Sequence, residues 1–401
     1  MNVLIIAQYF PPDFGGASTR AYNAAKGLVL QGCDVSVISA FPHYPHGKIP
    51  KNYSRKFIST EQIDGIKLIR TYVPKLSHSS NFKRLFLHFS FFLSSLFAIR
   101  YVKNSDVIIS MNQNIFGFFP SYVINLFLRK PIIRNLDDLW PEVFYDLGIV
   151  KSKPIKKILD YFAKKSYEIP KAITPISKGY VNTLITKYNI NKEKIFVIEQ
   201  GVDLKKFSST PNVDSKIKTI MYSGIINFNY DFETIIDAAK LLQSEPVKFV
   251  IRGTGDSISH ITNLIKKNNL TNVVLDTNLV SKEKLGEILS SADIFILPLK
   301  SVGSADFGLP TKILEFQALR KPIICFSVGE PARYIRETNS GLICDANPSD
   351  LANKIKQLLD DPSLTTQLGN NGYTFIKNNL TIEKVGKRFL QVINTVTKKS
   401  T

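Results

Sequence analysis

Short apolar runs rich in Val and Ile recur through the first half of the chain, at 3–7, 34–39, 66–71, 106–110, 131–134, 172–176 and 195–199. The second half repeats the pattern at 219–223, 248–252, 273–275, 293–298, 322–326 and 341–344. Between most of them, apolar positions return every three or four residues. A short, continuously apolar, β-branched run predicts a strand covered on both faces, and the longer period predicts amphipathic helices. Alternating strands and helices build a parallel sheet with helices on each side. Two such sets predict two doubly wound α/β domains. The length of 401 residues, more than one core ordinarily supports, agrees. A polar stretch at 208–216 reads as a linker, which places domains at 1–203 and 204–380 and a closing amphipathic helix in 381–401. The opening run of the chain is apolar but short, and soon meets Pro11-Pro12-Asp13. It is expected to be a first strand, not a signal peptide.

Composition adds a charge question. Lys and Arg outnumber Asp and Glu by 52 to 33, a formal charge of +19. Nucleic acid, an anionic membrane surface or a phosphorylated substrate would each suit that surplus, as would a lysine-rich surface with no specific partner. The basic residues are spread along the chain and lack the interleaved aromatics of RNA-binding sheets, so no nucleic-acid partner is expected. Cys33, Cys325 and Cys344 are scattered, without metal spacing, in or beside apolar runs. They predict reduced core thiols in a cytosolic protein, and no metal site.

Residues 82–103 bear on the membrane alternative. The apolar core from Leu85 to Ile99 would be about 22 Å long as a helix, against a hydrocarbon layer of about 30 Å, so it is not expected to span. Lys83, Arg84, Arg100 and Lys103 flank it, as in a helix lying among headgroups, with Phe91, Phe92 and Leu96 toward the lipid. Burial inside the first domain is the alternative, and is the stronger reading for a second apolar stretch, 115–128.

Candidate chemistry sits where strands end. Gly15-Gly16 follows the first strand and opens a helix, a place where backbone approaches a ligand closely and an anion is favoured. There is no G-x-G-x-x-G, so the dinucleotide fingerprint is missing. Phe41-Pro42-His43-Tyr44-Pro45-His46-Gly47 has the make-up of a substrate-facing loop. Asn135-Leu136-Asp137-Asp138-Leu139-Trp140-Pro141-Glu142 brings three carboxylates and the single Trp to another strand end. The acids could bind hydroxyls or act as a base, or Asp138 could cap a helix. In the second half Ser223-Gly224 closes a strand, Arg252 could reach phosphate or pair with a neighbouring acid, and the loop at Val280 could take a flat base.

In Gly308-Leu309-Pro310-Thr311-Lys312-Ile313-Leu314-Glu315, Pro310 marks a helix start whose N–H groups would face an anion. Lys312 and Glu315 share a helix face, where they could hold phosphate and ribose or simply form a surface ion pair.

Taken together, these blocks resemble a retaining glycosyltransferase of the GT-B architecture in family 4, over nearly the whole chain. Four blocks carry the likeness: Tyr9-Phe10-Pro11-Pro12 with Gly15-Gly16, Val197-Ile198-Glu199-Gln200-Gly201-Val202-Asp203, Ser291-Ala292-Asp293-Ile294-Phe295-Ile296-Leu297-Pro298, and the stretch from Gly308 through Pro322. The His43 and Trp140 blocks are similar to the branch that contains fucosamine and other aminosugar transferases of surface polysaccharide assembly.

The resemblance implies two Rossmann-like domains facing across a cleft, with the closing helix returning to the N-terminal one. It implies a nucleotide-diphosphate sugar, of the UDP kind, on the second domain and a lipid-linked or glycan acceptor on the first. No cofactor or metal is expected, and the enzyme would act as a hexosyltransferase from the cytoplasmic face of the membrane. Glu315 matches the acid that holds the ribose. Thr311, with Pro310 beside it, matches the backbone that holds the diphosphate, which Gly15 and Gly16 approach from the other domain.

Two features depart from the family pattern. Phe307 stands where the first acid of the motif is expected, with Asp306 one residue early. A basic pair usual after Gly224 is missing, which leaves Lys312 and Arg252 to meet phosphate charge. Val280 completes the donor side. Arg20, His43, Tyr44, Asp137 and Trp140 are the acceptor-side candidates, and Asp138, His43 and Lys312 the catalytic ones. A nucleotide-sugar epimerase on the same fold and a non-catalytic basic protein that binds membranes or nucleic acid are the competing functions.

Overall fold

The computed structural model describes residues 1–44, 46–76, 80–111, 117–146, 148–207, 216–278, 280, 282–301, 303–326 and 329–398. The chain divides into two compact units, Met1–Gly201 with the chain from Ile382 onward, and Val202–Thr381.

The first unit is built on strands β1 (Asn2–Ile6), β2 (Asp34–Ala40), β3 (Ile58–Ile63), β4 (Ile66–Thr71), β5 (Val107–Ser110), β6 (Ile132–Leu136) and β7 (Ala172–Pro175). Their order is β3-β4-β2-β1-β5-β6-β7, parallel throughout except for β3, which runs antiparallel to β4. The second unit holds β8 (Lys218–Ser223), β9 (Val247–Arg252), β10 (Val273–Asp276), β11 (Ile294–Leu297), β12 (Ile323–Cys325) and β13 (Gly341–Ile343), all parallel, in the order β10-β9-β8-β11-β12-β13. The central strands are buried along their length because helices cover both faces. All three cysteines are buried and free.

Two differences from the expected strands have local causes. β3 is an edge strand whose middle, Ser59-Thr60-Glu61-Gln62, is polar, so it has no apolar run to betray it. Its signal was the turn: Asp64 and Gly65 take φ of 51° and 83°, the two positive values that a two-residue hairpin needs. Residues 195–199 do not form a strand. Ile195 makes one isolated bridge to Ile173, and the N–H groups of Phe196 and Ile198 extend the edge of β7 by donating to Ile173 and Pro175.

Helix Asn81–Leu96 continues as a 3-10 turn, Phe97–Tyr101. Among the described residues, Phe82–Tyr101 alone is long and apolar enough to cross a membrane by length and composition. One side of it is domain core, with Leu87, Phe91 and Ala98 at 1% exposure or less. The opposite side carries Phe82, Phe86, Phe89, Leu93 and Phe97 in the open. Their spacing of three and four residues makes a single apolar stripe. Phe91 therefore faces inward, and this stripe, not the set Phe91, Phe92 and Leu96, is the outward apolar face. The second apolar stretch forms helix Phe118–Leu128, with Phe118 and Ile124 buried but Leu126 and Phe127 exposed; residues 115 and 116 lie outside the described set.

Among the parallel strands of each sheet the order reverses once, between β1 and β5 and between β8 and β11. Connections leaving the two strands at such a point go to opposite faces and open a crevice at the strands' carboxyl ends, where ligands bind in this class of fold. The loop from β1 to Gly16 lies there in the first unit. In the second, the loops after β8 and β11 do.

Candidate active site

In the second unit the crevice is floored by Gly224, just past β8, at φ +154°. A Cβ added there would fall 2.3 Å from Lys312 Nζ, so the absent side chain is the space the ammonium occupies. Lys312 rises from helix Thr311–Ala318, whose cap is Pro310 at φ −61° and ψ 130°. Pro310 thus precedes the helix instead of filling its first turn, and it offers no side-chain acceptor to the helix end. Ile313, Leu314, Phe316 and Gln317 are buried, while Thr311, Lys312 and Glu315 form the outward face. Lys312 Nζ donates to Tyr222 Oη at 2.9 Å and Tyr230 Oη at 3.0 Å, and lies 4.5 and 4.2 Å from the two ring centroids.

The alternative of a Lys312–Glu315 surface ion pair is not what forms. A half-buried ammonium at a helix N-terminus, facing phenols and, among the described residues, no carboxylate, opposes the helix dipole by about 0.3–1 kcal/mol. An anion would relieve that.

Other second-unit candidates are placed differently. Arg252 is 4% exposed, paired with Asp276 and donating to the Asn278 carbonyl at 2.7 Å. Of its two possible roles, the acid partner is the one realised, because β9 and β10 are neighbours and end together. Asp306 accepts from Ser301 Oγ and backs onto Gly329, where an added Cβ would meet the Asp306 carbonyl oxygen at 2.3 Å. Its neighbour Phe307 is 39% exposed. Val280 is half-buried beyond β10, two strands from β8, or roughly 10 Å away by strand spacing. Leu279 and Ser281 of the same loop lie outside the described residues.

In the first unit Gly15, at φ +101°, precedes helix Gly16–Leu30. Asp13, which sequence reasoning passed over, ties this loop to the next. Its Oδ1 accepts the backbone N–H groups of His43 and Tyr44, each at 2.8 Å. His43 is 2% exposed, stacked on Tyr9 with Nδ1 at 2.7 Å from the Phe41 carbonyl. A carbonyl only accepts, so Nδ1 carries the proton. Burial pulls the imidazole down to about 4, and it stays neutral. Tyr44 is half-buried and packs edge-on to Tyr9.

Arg20 is not an open acceptor contact. It is 3% exposed, ion-paired with Asp137 at 2.8 Å and bonded to Asn135 Oδ1 and the Ile198 carbonyl. From the second turn of its helix it reaches the end of β6 and holds the Asp137–Asp138 corner. Trp140 is likewise packing: its ring lies against the core around Leu136 and Tyr167, and its carbonyl accepts from Tyr167.

Asp138 is half-buried, and the following helix begins at Glu142, so Asp138 does not cap it. Burial first, and then the charge of Asp137, pushes its carboxyl up to about 7. His43 follows β2 and Asp138 follows β6, with β1 and β5 between them. That is three strand spacings, roughly 14 Å between the strand ends, so the two do not touch each other. Among the described residues, no group of three or more His, Cys, Asp or Glu side chains is arranged to hold a metal ion. The sequence also gave no local signal for Tyr222 and Tyr230, whose partner lies at least 82 residues away.

The chain is similar to known proteins in sequence and in fold. The family model described as glycosyltransferase family 4 matches residues 14–206, and that of glycosyl transferases group 1 matches residues 203–375. The chain is 24% identical over 336 residues to the Escherichia coli (strain K12) glycosyl transferase WcaI, assigned provisionally to colanic acid biosynthesis, covering 80% of this chain and 81% of that one. Its fold is similar to that of sucrose-phosphate synthase from Thermosynechococcus elongatus, with a TM-score of 0.78 at 16% identity, covering 99% of each chain. It is also similar to Anabaena HepE, solved in complex with UDP-glucose, with a TM-score of 0.70 at 14% identity, covering 98% of this chain and 100% of that one.

Proposed function

Because the chain belongs to the family 4 glycosyltransferases and has the GT-B fold, we propose that it transfers a hexose-type sugar from a nucleoside-diphosphate sugar to a membrane-linked glycan or lipid, with retention at the anomeric carbon. The observation that carries this reading is Lys312, an ammonium set over Gly224 at a helix N-terminus with no carboxylate partner among the described residues, and Glu315 one turn further on. The helix end and Lys312 hold the diphosphate, and Glu315 holds the ribose. UDP is the first nucleotide to try, since HepE was solved with UDP-glucose, and a fucosamine-type amino sugar is the first sugar.

In the reaction, the bond from the anomeric carbon to the diphosphate oxygen breaks and its electron pair stays on that oxygen. Lys312 and the helix N–H groups stabilise the growing charge, with no metal ion required. Fixed donors of this kind are commonly the largest catalytic contribution. The acceptor hydroxyl forms the new bond from the face the diphosphate leaves, and its proton passes to the departing oxygen. Asp138 orients that hydroxyl. His43, neutral and enclosed, shapes the wall.

Glu315→Ala is expected to weaken UDP-sugar binding by roughly ten- to a hundredfold, the range for losing a hydrogen bond to a charged group. Calorimetry with unchanged affinity would remove Glu315 from the ribose.

The acceptor side works at a cytoplasmic membrane surface in this reading. The exposed stripe Phe82, Phe86, Phe89, Leu93 and Phe97 supports it. So does helix Lys153–Glu168, which sets exposed Ile155, Ile158 and Tyr161 among lysines and packs Phe162 against Phe119. An apolar face with a basic border is what an interfacial helix presents. The triple change Phe86→Ser, Phe89→Ser, Leu93→Ser should abolish co-sedimentation with phosphatidylglycerol vesicles and leave the circular dichroism unchanged. Retained binding by a folded variant would rule this face out.

A further inference from the structure

We propose that Tyr222 and Tyr230 are positioning residues that aim the Lys312 ammonium at the donor's diphosphate; this rests on the donor site proposed above. An ammonium has three N–H donors. Two are taken here, by Tyr222 Oη at 2.9 Å and Tyr230 Oη at 3.0 Å. The two rings, 5.3 Å apart and tilted by 59°, also stand within 4.5 Å of Nζ, so their π faces hold the charge that no carboxylate among the described residues meets. Tyr222 is itself locked: it is 1% exposed and its hydroxyl donates to the Ile225 carbonyl at 2.5 Å. That bond leaves its oxygen free to accept from Lys312, and Tyr222 transmits the position of the β8 end to Nζ. Gly224 supplies the room below.

The consequence is a lysine whose long, flexible chain is fixed before ligand arrives, with one N–H left over. A phenol pair is suited to this. A carboxylate in the same place would neutralise the lysine and compete with phosphate, whereas neutral phenols orient the cation and leave its charge available. Burial keeps the Tyr222 phenol far above its ordinary value, so it stays uncharged at any working pH. The cation comes from helix Thr311–Ala318 and not from the loop after β8. That loop contributes Tyr230 and, at its exposed tip, Phe228.

The experiment compares Tyr222→Phe, Tyr230→Phe, the double change and Lys312→Met in the full chain. The probes are UDP, GDP and dTDP, with uridine, guanosine and thymidine as diphosphate-free controls. Phenylalanine keeps each ring and removes only the hydroxyl. The expected result is a three- to tenfold loss of nucleoside-diphosphate affinity in each single variant and a larger loss in the double. Nucleoside affinity should be unchanged, the thermal midpoint should hold in Tyr230→Phe and fall slightly in Tyr222→Phe through the lost bond to Ile225, and in turnover the loss should fall on KM for the donor. Wild-type affinity in the Tyr→Phe variants, with Lys312→Met impaired, would overturn the positioning role and leave the donor site standing. Equal loss of diphosphate and nucleoside affinity would overturn it as well, since the tyrosines would then only hold the fold. A wild-type chain that binds none of the three diphosphates would overturn the donor site and this proposal together.

Discussion

Asp138→Asn is expected to lower turnover by about a hundredfold or more while making the protein harder to denature at pH 8. Both effects come from one carboxyl. Burial, and then the neighbouring Asp137 charge, raises it to about 7. A carboxyl raised on folding stabilises the folded chain only while it is protonated. Its contribution is complete below the unfolded value near 4 and is lost as pH climbs through about 7. Above that pH the ionised group opposes folding, and a neutral amide removes the opposition. The gain should be on the order of 1–3 kcal/mol at pH 8, less at pH 6 and absent at pH 4. Activity runs the other way, because the carboxylate is the form that accepts from an acceptor hydroxyl. In the wild type kcat/KM should rise with pH through about 7 and then level off, and the Asn variant should lack that limb. A variant with the wild-type pH profile would show that Asp138 does not touch the acceptor.

Gly386→Leu should destabilise the first unit by about 3 kcal/mol. Helix Ile382–Lys398 crosses helix Gly16–Leu30 so closely that a Cβ on Gly386 would stand 2.2 Å from the Gly27 carbonyl oxygen and 2.6 Å from its Cα. The converse is as tight, with a Gly27 Cβ 2.5 Å from the Ile382 carbonyl oxygen. The obstacle is backbone on both sides, so no side chain can rotate out of the way. The helices must separate, and Val385, Phe389 and Ile393, all buried, lose packing. Urea denaturation followed by tryptophan fluorescence reads this unit, since Trp140 is the only Trp and lies within it. An unchanged midpoint would mean the helix can slide without cost. Gly386→Ala should move the midpoint in the same direction by less.

These two sites differ in how far they could be read beforehand. The carboxylates at 137–138 announced themselves as acids after a strand. What could not be read was that Arg20 turns inward to hold Asp137, leaving Asp138 as the half-buried member of the pair without that ion pair. Gly386 looked like any helical glycine, because the surface it meets lies more than 350 positions away in the chain. The apolar helix near residue 90 was legible as a helix with a basic border. Which side faced outward was not, since Phe occurs on both sides and only packing against the sheet separates Phe91 from Phe89.

The sequence by itself determined the class of fold, two parallel sheets wrapped by helices, because strand burial writes an unbroken apolar run that local reading detects. It also determined the family, and it marked the helix that begins at Thr311, because a proline-marked start followed by Lys312 and Glu315 is a local pattern. Only the tertiary structure decided which charges are available for chemistry. Arg252 is neutralised by an acid on the neighbouring strand and Arg20 by one just past β6, two strands from β1, His43 is enclosed, and Lys312 is held by two phenols with no carboxylate beside it among the described residues. The physical reason is that a charge is free or spent according to what stands within a few ångströms of it, and those neighbours are set by the order of strands in the sheet rather than by their order in the chain.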